Sequence, residues 1–404
     1  MGWLSRKGLG HPRLVRTTDH WQFSVLRQIN PRKFRRYLLQ AFVLAAVIVC
    51  AFVLINTTHE NLTRQGMTSG LDFLNRSVGW GIAFSIIKYS PSDPYTRVFL
   101  IGFINTILVG VMCIALSTTF GTLIGIARLS NNNLLRQLAK LYVDVFRNIP
   151  LVLQAIFWYS LLTHLPPPRS ALSIFDVAVI SNRGLIIPSL NLSGKAASIA
   201  LMVCAASLLA GLALRKVVFP GGTKAISYGL FLAVPAVALT LMVTLGRTEP
   251  SLFSVPALHG LRFLGGISFG PEFVALVVAI TIFSSAYIAE IVRSGFLAVG
   301  KGTLEAAGSL GLRPLVILKK IHIPLALRAI LPPLGNQYVY VMKATTIGIA
   351  IGFTDLFMVS ATAINQTGQV IEIMAIMMGS FFVINFTLTR IVNLVNAKFR
   401  LKGY

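Results

Sequence analysis

Apolar residues occur along this chain in long blocks separated by short polar stretches. A helix needs about 20 apolar residues to cross the ~30 Å hydrocarbon layer of a bilayer, because every backbone amide must be satisfied within the segment. Eight blocks qualify, near residues 37–57, 98–126, 144–165, 196–214, 225–245, 272–292, 329–353 and 370–389. The pattern therefore predicts an all-α, polytopic membrane protein, a helical bundle of about eight transmembrane helices.

The amino-acid composition excludes an ordinary water-soluble domain. Hydrophobic residues make up 55% of the 404 positions, charged residues make up only 12%, and the mean hydropathy is +0.76. Such a chain has too little polar surface for a globular fold in water. The first apolar block has no small-residue cleavage site behind it, so we expect a retained anchor rather than a secretory signal.

The formal charge of +24 is explained by membrane topology. Loops that stay in the cytoplasm are enriched in Lys and Arg. With the N-terminus placed inside, 26 of the 36 Lys and Arg residues lie in cytoplasmic segments, while the outer loops carry eight of the twelve Asp and Glu residues. This distribution predicts both termini in the cytoplasm, and it indicates attraction to membrane lipid rather than a nucleic-acid partner.

The sequence carries no recognisable catalytic chemistry. It has no glycine-rich phosphate loop ending in Gly-Lys-Ser or Gly-Lys-Thr, so we expect no ATP hydrolysis by this chain. Cys50, Cys113 and Cys204 have no metal-site spacing, and neither a metalloprotease cluster nor a nucleophile elbow occurs. We therefore predict a protein that is not an enzyme and binds no metal or cofactor itself. An active transporter with this sequence would take the energy for transport from a partner or from a gradient.

The longest cytoplasmic loop between two blocks, residues 293–328, has the signals of a helix-turn-helix. A short helix is expected to end at Gly311, and Pro314 is expected to open a second helix. Glu305 offers an acceptor to a basic partner. A thin face precedes the break, formed by Ala306, Ala307 and Gly308. We name 293–328 the docking loop; the alternative is a solvated interfacial loop with a helix cap.

Four blocks of sequence carry a family resemblance. The docking loop resembles the EAA loop of the inner-membrane components of ATP-binding-cassette importers. The resemblance lies in the spacing of Glu305-Ala306-Ala307, Gly311, Ile321 and Ile323-Pro324, and Ile323 stands where Leu is usual. Three further blocks resemble the polar amino-acid permeases of the histidine and glutamine type. The first block runs from 102–106 to 144–151, the second is 286–295, and the third combines 331–336 with 343–346. The length is similar to that of the larger permeases of general L-amino-acid uptake systems.

The resemblance implies a type I importer permease core that moves L-amino acids across the bacterial inner membrane. In that family the loop contains the coupling helix, which sits in a cleft of the ATPase subunit. The matching residues here are Glu305, Ala306, Ala307, Gly308, Leu310, Gly311 and Leu312. The implied partners are a dimer of ABC ATPases that holds ATP and Mg, a second and distinct permease subunit, and a periplasmic amino-acid-binding protein.

Five segments are expected along the chain. They are a basic cytoplasmic N-terminal segment (1–36), the first transmembrane helix with its outer loop (37–97), the N-terminal segment of the permease core (98–165), an insertion (166–270) and the C-terminal segment of the permease core (271–404). The insertion opens with Pro166-Pro167-Pro168, which cannot be helical at its start. It also contains two blocks without charge. We expect an accessory hairpin of two transmembrane helices at the periphery of the bundle. The alternative is a pair of pore-lining helices whose only polar groups belong to the backbone.

Candidate pathway residues follow Pro332-Pro333 in the seventh block, where a helix break can present polar groups to a zwitterion. They are Asn336, Gln337, Tyr340, Lys343, Thr345 and Thr346. Lys343 falls near mid-membrane, where an ionised side chain costs a few kcal/mol. It either contributes to packing or gating in the pathway or snorkels as a structural lysine.

Several charged residues are placed near the inner ends of the blocks. Glu290 and Arg293 are three residues apart and are expected to pair, for structure or for gating. Arg147 and Pro150 are expected to anchor the third block at the inner interface. His322 is expected to be a contact or surface residue of the docking loop.

Two other functions stay open on the sequence. A gradient-driven secondary transporter would show two similar halves and membrane-embedded carboxylates for ion coupling, and neither is evident. A non-transporting structural membrane subunit would need no docking loop.

Overall fold

The computed structural model describes residues 31–64, 70–174, 177–191, 253–259 and 262–399, which fall into two units, 1–69 and 70–404. The described residues of the first unit form the helix α1 (Pro31–Arg64). Its apolar stretch Arg35–Leu54 is long enough to cross a bilayer and corresponds to the first predicted span.

The described residues of the second unit contain nine α-helices. They are α2 (Tyr95–Ala127), α3 (Asn133–Asn148), α4 (Leu151–Thr163), α5 (Pro271–Leu297), α6 (Lys301–Ser309), α7 (Pro314–Ile317), α8 (Ile323–Ala344), α9 (Leu356–Thr367) and α10 (Val370–Phe399). Two starts are capped by side chains: Asn132 Oδ1 accepts from Leu134 N at 3.0 Å, and Asp355 Oδ1 accepts from Met358 N at 2.8 Å. Thr345–Ile351 continues α8 as a 3₁₀ helix.

Six of the eight predicted spans have a helical counterpart in the described ranges. Four are single apolar helices, namely Arg35–Leu54, α2, α5 and the Val370–Ala397 stretch of α10. Two are helix pairs bent at a break: α3 with α4, and Pro314–Ile351 with α9. The predicted spans 196–214 and 225–245 lie outside the described residues. The helical membrane fold is thus confirmed with four to six candidate spans, and the count of eight stays a prediction.

The third predicted span, 144–165, is not a single helix. α3 ends at Asn148, α4 begins at Leu151, and the two axes differ by 102°. The cause is Pro150, whose ring keeps the preceding residue out of the helical region, and Ile149 has φ −90° and ψ 125°. The sequence pattern did not predict this break, because apolar residues continue through it; α3 and α4 together still qualify as one bent span.

Among the described residues, eight short β-strands add to the all-α bundle that the sequence predicted. They are β1 (Leu172–Ile174), β2 (Ala178–Ser181), β3 (Gly184–Ile187), β4 (Ser189–Leu190), β5 (Phe253–Ser254), β6 (Ala257–His259), β7 (Arg262–Leu264) and β8 (Ile267–Phe269). β1, β2, β3 and β8 form an antiparallel sheet in that order, β4 pairs with β5, and β6 pairs with β7. All lie between α4 and α5. Strands of two to four residues are too short for an alternating pattern to reveal them.

Helix α5 is the centre of the second unit and packs against α2, α3, α4 and α8. One face of α2 carries buried small residues, namely Gly102, Thr106, Gly110, Ser117, Gly121 and Gly125. A Cβ atom at Gly121 would lie 2.7 Å from the Cβ of Ile288, and one at Gly125 would lie 2.8 Å from the Cβ of Val292. Glycine therefore permits α2 and α5 to approach closely, which is how helices associate in lipid.

Gly121→Ala should destabilise the fold by about 1–3 kcal/mol, because the new methyl group meets Ile288 and the carbonyl oxygen of Ser285. The measurement is the unfolding midpoint in detergent. Gly379→Ala in α10 is the matched control: nothing lies within 4 Å of its Cβ position, so alanine should be neutral or stabilising there. Equal losses in both variants would contradict the packing argument.

Candidate functional site

The docking loop has the predicted helix-turn-helix form. α6 ends at Ser309, Gly311 has φ +75°, and α7 begins at Pro314. Gly311 N donates to Gly308 O at 2.9 Å and Leu312 N donates to Ala307 O at 3.4 Å, which is the bond pair of a Schellman cap. Residues with a Cβ rarely adopt this left-handed backbone, so glycine fits the position. The structure confirms the break placed at Gly311.

Most of the residues matched to the coupling helix lie on the surface. The exposed ones are Glu305, Ala306, Gly308, Leu310, Gly311 and Leu312. Ala307 is only 5% exposed, so within the expected thin face Ala306 and Gly308 are the accessible members. Leu310 is 80% exposed and Leu315 is 68% exposed. These two leucines leave apolar surface at the loop apex that a partner protein could cover.

The base of the docking loop is held against the helices that lead into and out of it. The Nε2 atom of His322 lies 3.2 Å from the carbonyl oxygen of Phe296, and its ring meets the Phe296 ring edge-on with centroids 5.1 Å apart. Nearby, Gly295 of α5 lies so close to Ile330 of α8 that a Cβ atom would overlap it. His322 is thus a contact residue that ties the end of the loop to α5.

Glu290 joins two helices through two arginines. Its carboxylate accepts from Arg293 Nη2 at 2.6 Å, as expected from their spacing, and also pairs with Arg128 at the end of α2. The Arg128 side chain is 11% exposed, so this contact is better shielded from water than the one with Arg293, whose side chain is 31% exposed. The sequence did not predict the Arg128 contact, because these residues are 162 positions apart.

The six candidate pathway residues divide into three groups by burial. Asn336, Tyr340 and Lys343 are exposed, and their spacing places them on one face of α8. Thr345 is buried and its hydroxyl donates to Met342 O at 2.9 Å. The remaining two are partly buried: Thr346 donates to Lys343 O at 2.8 Å, and Gln337 has a buried Nε2 without a partner among the residues that the structure describes.

A row of aromatic rings connects the exposed face of α8 to α3. The Tyr340 ring stacks on Phe283 with centroids 5.9 Å apart, and Phe283 contacts Tyr287 at 4.9 Å. The Arg147 guanidinium lies 4.8 Å from the centroid of the Tyr287 ring. Sequence reasoning placed Arg147 only as an interface anchor. The structure sets this cation at the end of an aromatic row, a geometry that favours attraction between the charge and the ring face.

A second polar cluster lies where α2 meets the start of α9. Asn105 Nδ2 donates to Thr354 O at 2.8 Å and to Phe84 O at 3.0 Å, while Thr106 Oγ1 accepts from Leu356 N at 3.0 Å. Asp355, counted from the sequence among the residues of an outer loop, is fully buried here as the cap of α9. These bonds satisfy the backbone at a break between helices.

No metal site is apparent among the described residues. They contain no cluster of three or more His, Cys, Asp or Glu side chains that could hold an ion. Cys50 and Cys113 are unpaired. The described part of the site contains an exposed loop, an ion pair between α2 and α5, and a polar face of α8.

Comparison with known proteins gives a family and close relatives. The family described as binding-protein-dependent transport system inner membrane component matches residues 206–401. The putative amino-acid ABC transporter permease protein YhdX of Escherichia coli strain K12 is 42% identical over 374 residues, which cover 90% of this chain and 94% of that protein. The general L-amino acid transport system permease protein AapQ of Rhizobium johnstonii is 37% identical over 377 residues, covering 91% and 93%. A solved amino acid ABC transporter with histidines is 22% identical, covers 75% of this chain and 95% of its own, and has a TM-score of 0.46.

A double-mutant cycle on Arg128→Ala and Glu290→Ala should give a coupling free energy of about 0.5–3 kcal/mol, because the ion pair is shielded and joins two helices. The pair Arg97 and Asp93, 3.3 Å apart, is the control: the Arg97 side chain is 41% exposed against 11% for Arg128, and the pair joins no two helices, so it should couple by about 0.5 kcal/mol or less. The measurement is the free energy of unfolding in detergent. Equal coupling in the two pairs would show that Glu290 adds nothing beyond a surface ion pair.

Proposed function

Because the chain belongs to the family of binding-protein-dependent transport system inner membrane components and is a permease of the amino-acid ABC transporter type, we propose that it carries L-amino acids across the bacterial inner membrane. In this family ATP hydrolysis belongs to separate ATPase subunits, so the chain is a transport subunit and not an enzyme. ATP and Mg are expected on the partner ATPase.

The exposed docking loop is the observation that carries this proposal. Leu310 and Leu315 project from a loop whose fold is fixed by the Schellman cap at Gly311. We infer that an ATPase subunit covers these leucines and receives α6 in a cleft. Because the apex is exposed while the base is tied through His322, movement of the ATPase would displace α5 and α8 as a rigid lever.

The aromatic row supports a location for the translocation pathway. We propose that a passing amino acid meets the face of α8 that carries Asn336, Tyr340 and Lys343, with Phe283 and Tyr287 beside it. Arg147 would attract the substrate carboxylate, since a guanidinium presents two parallel donors to two oxygens. Thr345, which is buried, is assigned a structural role.

The proposed assembly has four kinds of component. The chain would pair with a second permease subunit about a pseudo-twofold axis, dock on an ATPase dimer and receive substrate from a periplasmic amino-acid-binding protein. Relatives named for L-amino-acid transport support the substrate class. The excess of Lys and Arg in alternate loops supports both termini in the cytoplasm.

Gly311→Val should abolish co-purification of the ATPase and lower ATP hydrolysis in liposomes to the background level. A β-branched residue cannot hold the left-handed backbone of the Schellman cap, so the loop apex would be displaced. The measurement is ATPase retention on the purified permease complex, followed by its hydrolysis rate.

The matched control is Gly368→Val at the end of α9. Gly368 has φ +71° and an equally open Cβ position, so it tests the same backbone strain away from the docking loop. It should retain the ATPase. If Gly311→Val keeps a fully active ATPase, the docking proposal fails and the gradient-driven transporter becomes the better account.

Arg147→Lys should lower amino-acid uptake about fivefold while the ATPase stays bound. Lysine keeps the charge, but it lacks the planar face over Tyr287 and the two-donor fork, a loss of about 1 kcal/mol. Uptake is measured in liposomes with saturating binding protein, and Arg136→Lys on the same helix is the control. Equal uptake by the two variants would remove Arg147 from the pathway.

A further inference from the structure

Helix α3 carries three distinct rows of side chains around its axis. The first row packs against α5 and consists of Ala139, Tyr142, Val143 and Phe146. Within it, Ala139 and Val143 are buried, and the Tyr142 hydroxyl lies 2.7 Å from Ser285 Oγ and donates to Ile282 O at 3.0 Å. This row fixes the rotation of α3 about its own axis, so the directions of the other two rows are determined.

The other two rows are both exposed, yet they differ in chemistry. The polar row consists of Arg136, Gln137, Lys140, Asp144 and Arg147. The apolar row consists of Leu134, Leu138, Leu141 and Val145, with exposures of 67%, 56%, 60% and 40%. Apart from the neighbours Arg136 and Gln137, the residues of each row recur at intervals of three or four, so each row follows one side of the helix. An unpaired aliphatic row beside a polar row is the pattern of a helix at a boundary between lipid and water.

The bend before α4 supplies the direction of α3. The axes of the two helices differ by 102°, so with α4 along the bilayer normal, α3 runs roughly parallel to the membrane surface. A helix in that position meets hydrocarbon along one side and water along the other. The apolar and polar rows match those two environments.

The apolar row is also continuous with an exposed apolar surface of α2. A groove of about 300 Å³ lies between α2, α3 and α5, and Phe120, Tyr142 and Val278 are among the residues that line it. Tyr142 is the member of the first row that lies nearest the apolar row, so the groove opens on the apolar side of α3. Phe120 and Leu123 of α2 are 50% and 60% exposed next to it. Aliphatic and aromatic side chains thus extend from α2 to α3, away from the polar row.

We propose that α3 is a membrane-surface helix whose apolar row inserts among the acyl chains of the cytoplasmic leaflet, with the polar row in water. Its partner is the lipid bilayer itself. The helix would hold the inner end of α4, and with it Arg147, at a fixed depth. The proposal concerns α3 and lipid alone, so it does not rest on the identity of the transported substrate.

The test is the accessibility of nitroxide labels at two positions on opposite sides of α3. Leu138→Cys and Lys140→Cys are made in a background where Cys50, Cys113 and Cys204 are alanine, and each labelled permease is reconstituted with its partner subunits in liposomes. Collisions with oxygen, which is enriched in hydrocarbon, and with a water-soluble nickel complex are measured by power saturation. The ratio of oxygen to nickel accessibility at Leu138 should exceed that at Lys140 several-fold.

Two results would overturn the proposal. Free access of the nickel complex to the label at Leu138 would mean that the apolar row lies in water. A label at Leu138 shielded from both reagents, together with cross-linking of that cysteine to the second permease subunit, would mean that a protein covers the row. Retention of the ATPase by both labelled permeases shows that the labels leave the fold intact.

Discussion

The close approach of α2 and α5 is the contact on which the rest of the second unit depends. Inside a bilayer, an apolar side chain gains little by exchanging lipid for another helix, so association relies on close fit and on hydrogen bonds. Gly121 and Gly125 bring α2 against Ile288 and Val292 at a separation that a side chain would prevent. Because α5 also packs on α3, α4 and α8, the placement of those helices follows from this glycine contact.

Electrostatic and hydrogen-bond contacts continue at the docking-loop end of the same helix pair. Glu290 connects α5 to Arg128 of α2, and six residues further along α5 the carbonyl oxygen of Phe296 meets His322. Both ends of the docking loop are therefore attached to the frame that the glycines build, whereas Leu310 at its apex is exposed. On the proposed mechanism, a force applied at the apex would act on α5 and α8 together, and these two helices carry the rings of the aromatic row that ends at Arg147.

The features that the sequence predicted are those with a local cause. Long apolar blocks become spans because lipid leaves the backbone no other partner, and Gly311 ends a helix because of its own backbone freedom. The break at Pro150 was missed because apolar residues continue through it, and the strands were missed because they are so short. The burial of Ala307 and the meeting of Arg128 with Glu290 depend on how distant helices pack, for which one chain carries no local signal.

Strands β4 and β5 pair Leu190 with Phe253, so two residues far apart in the sequence lie side by side. A tight hairpin between those two residues would satisfy the same backbone hydrogen bonds that the strands make now. A shorter connection between β4 and β5 is therefore compatible with the register of β3 against β8 and with the entry into α5. The paired strands bring the two ends of the connection to one place, so its length sets no limit on how α4 and α5 pack.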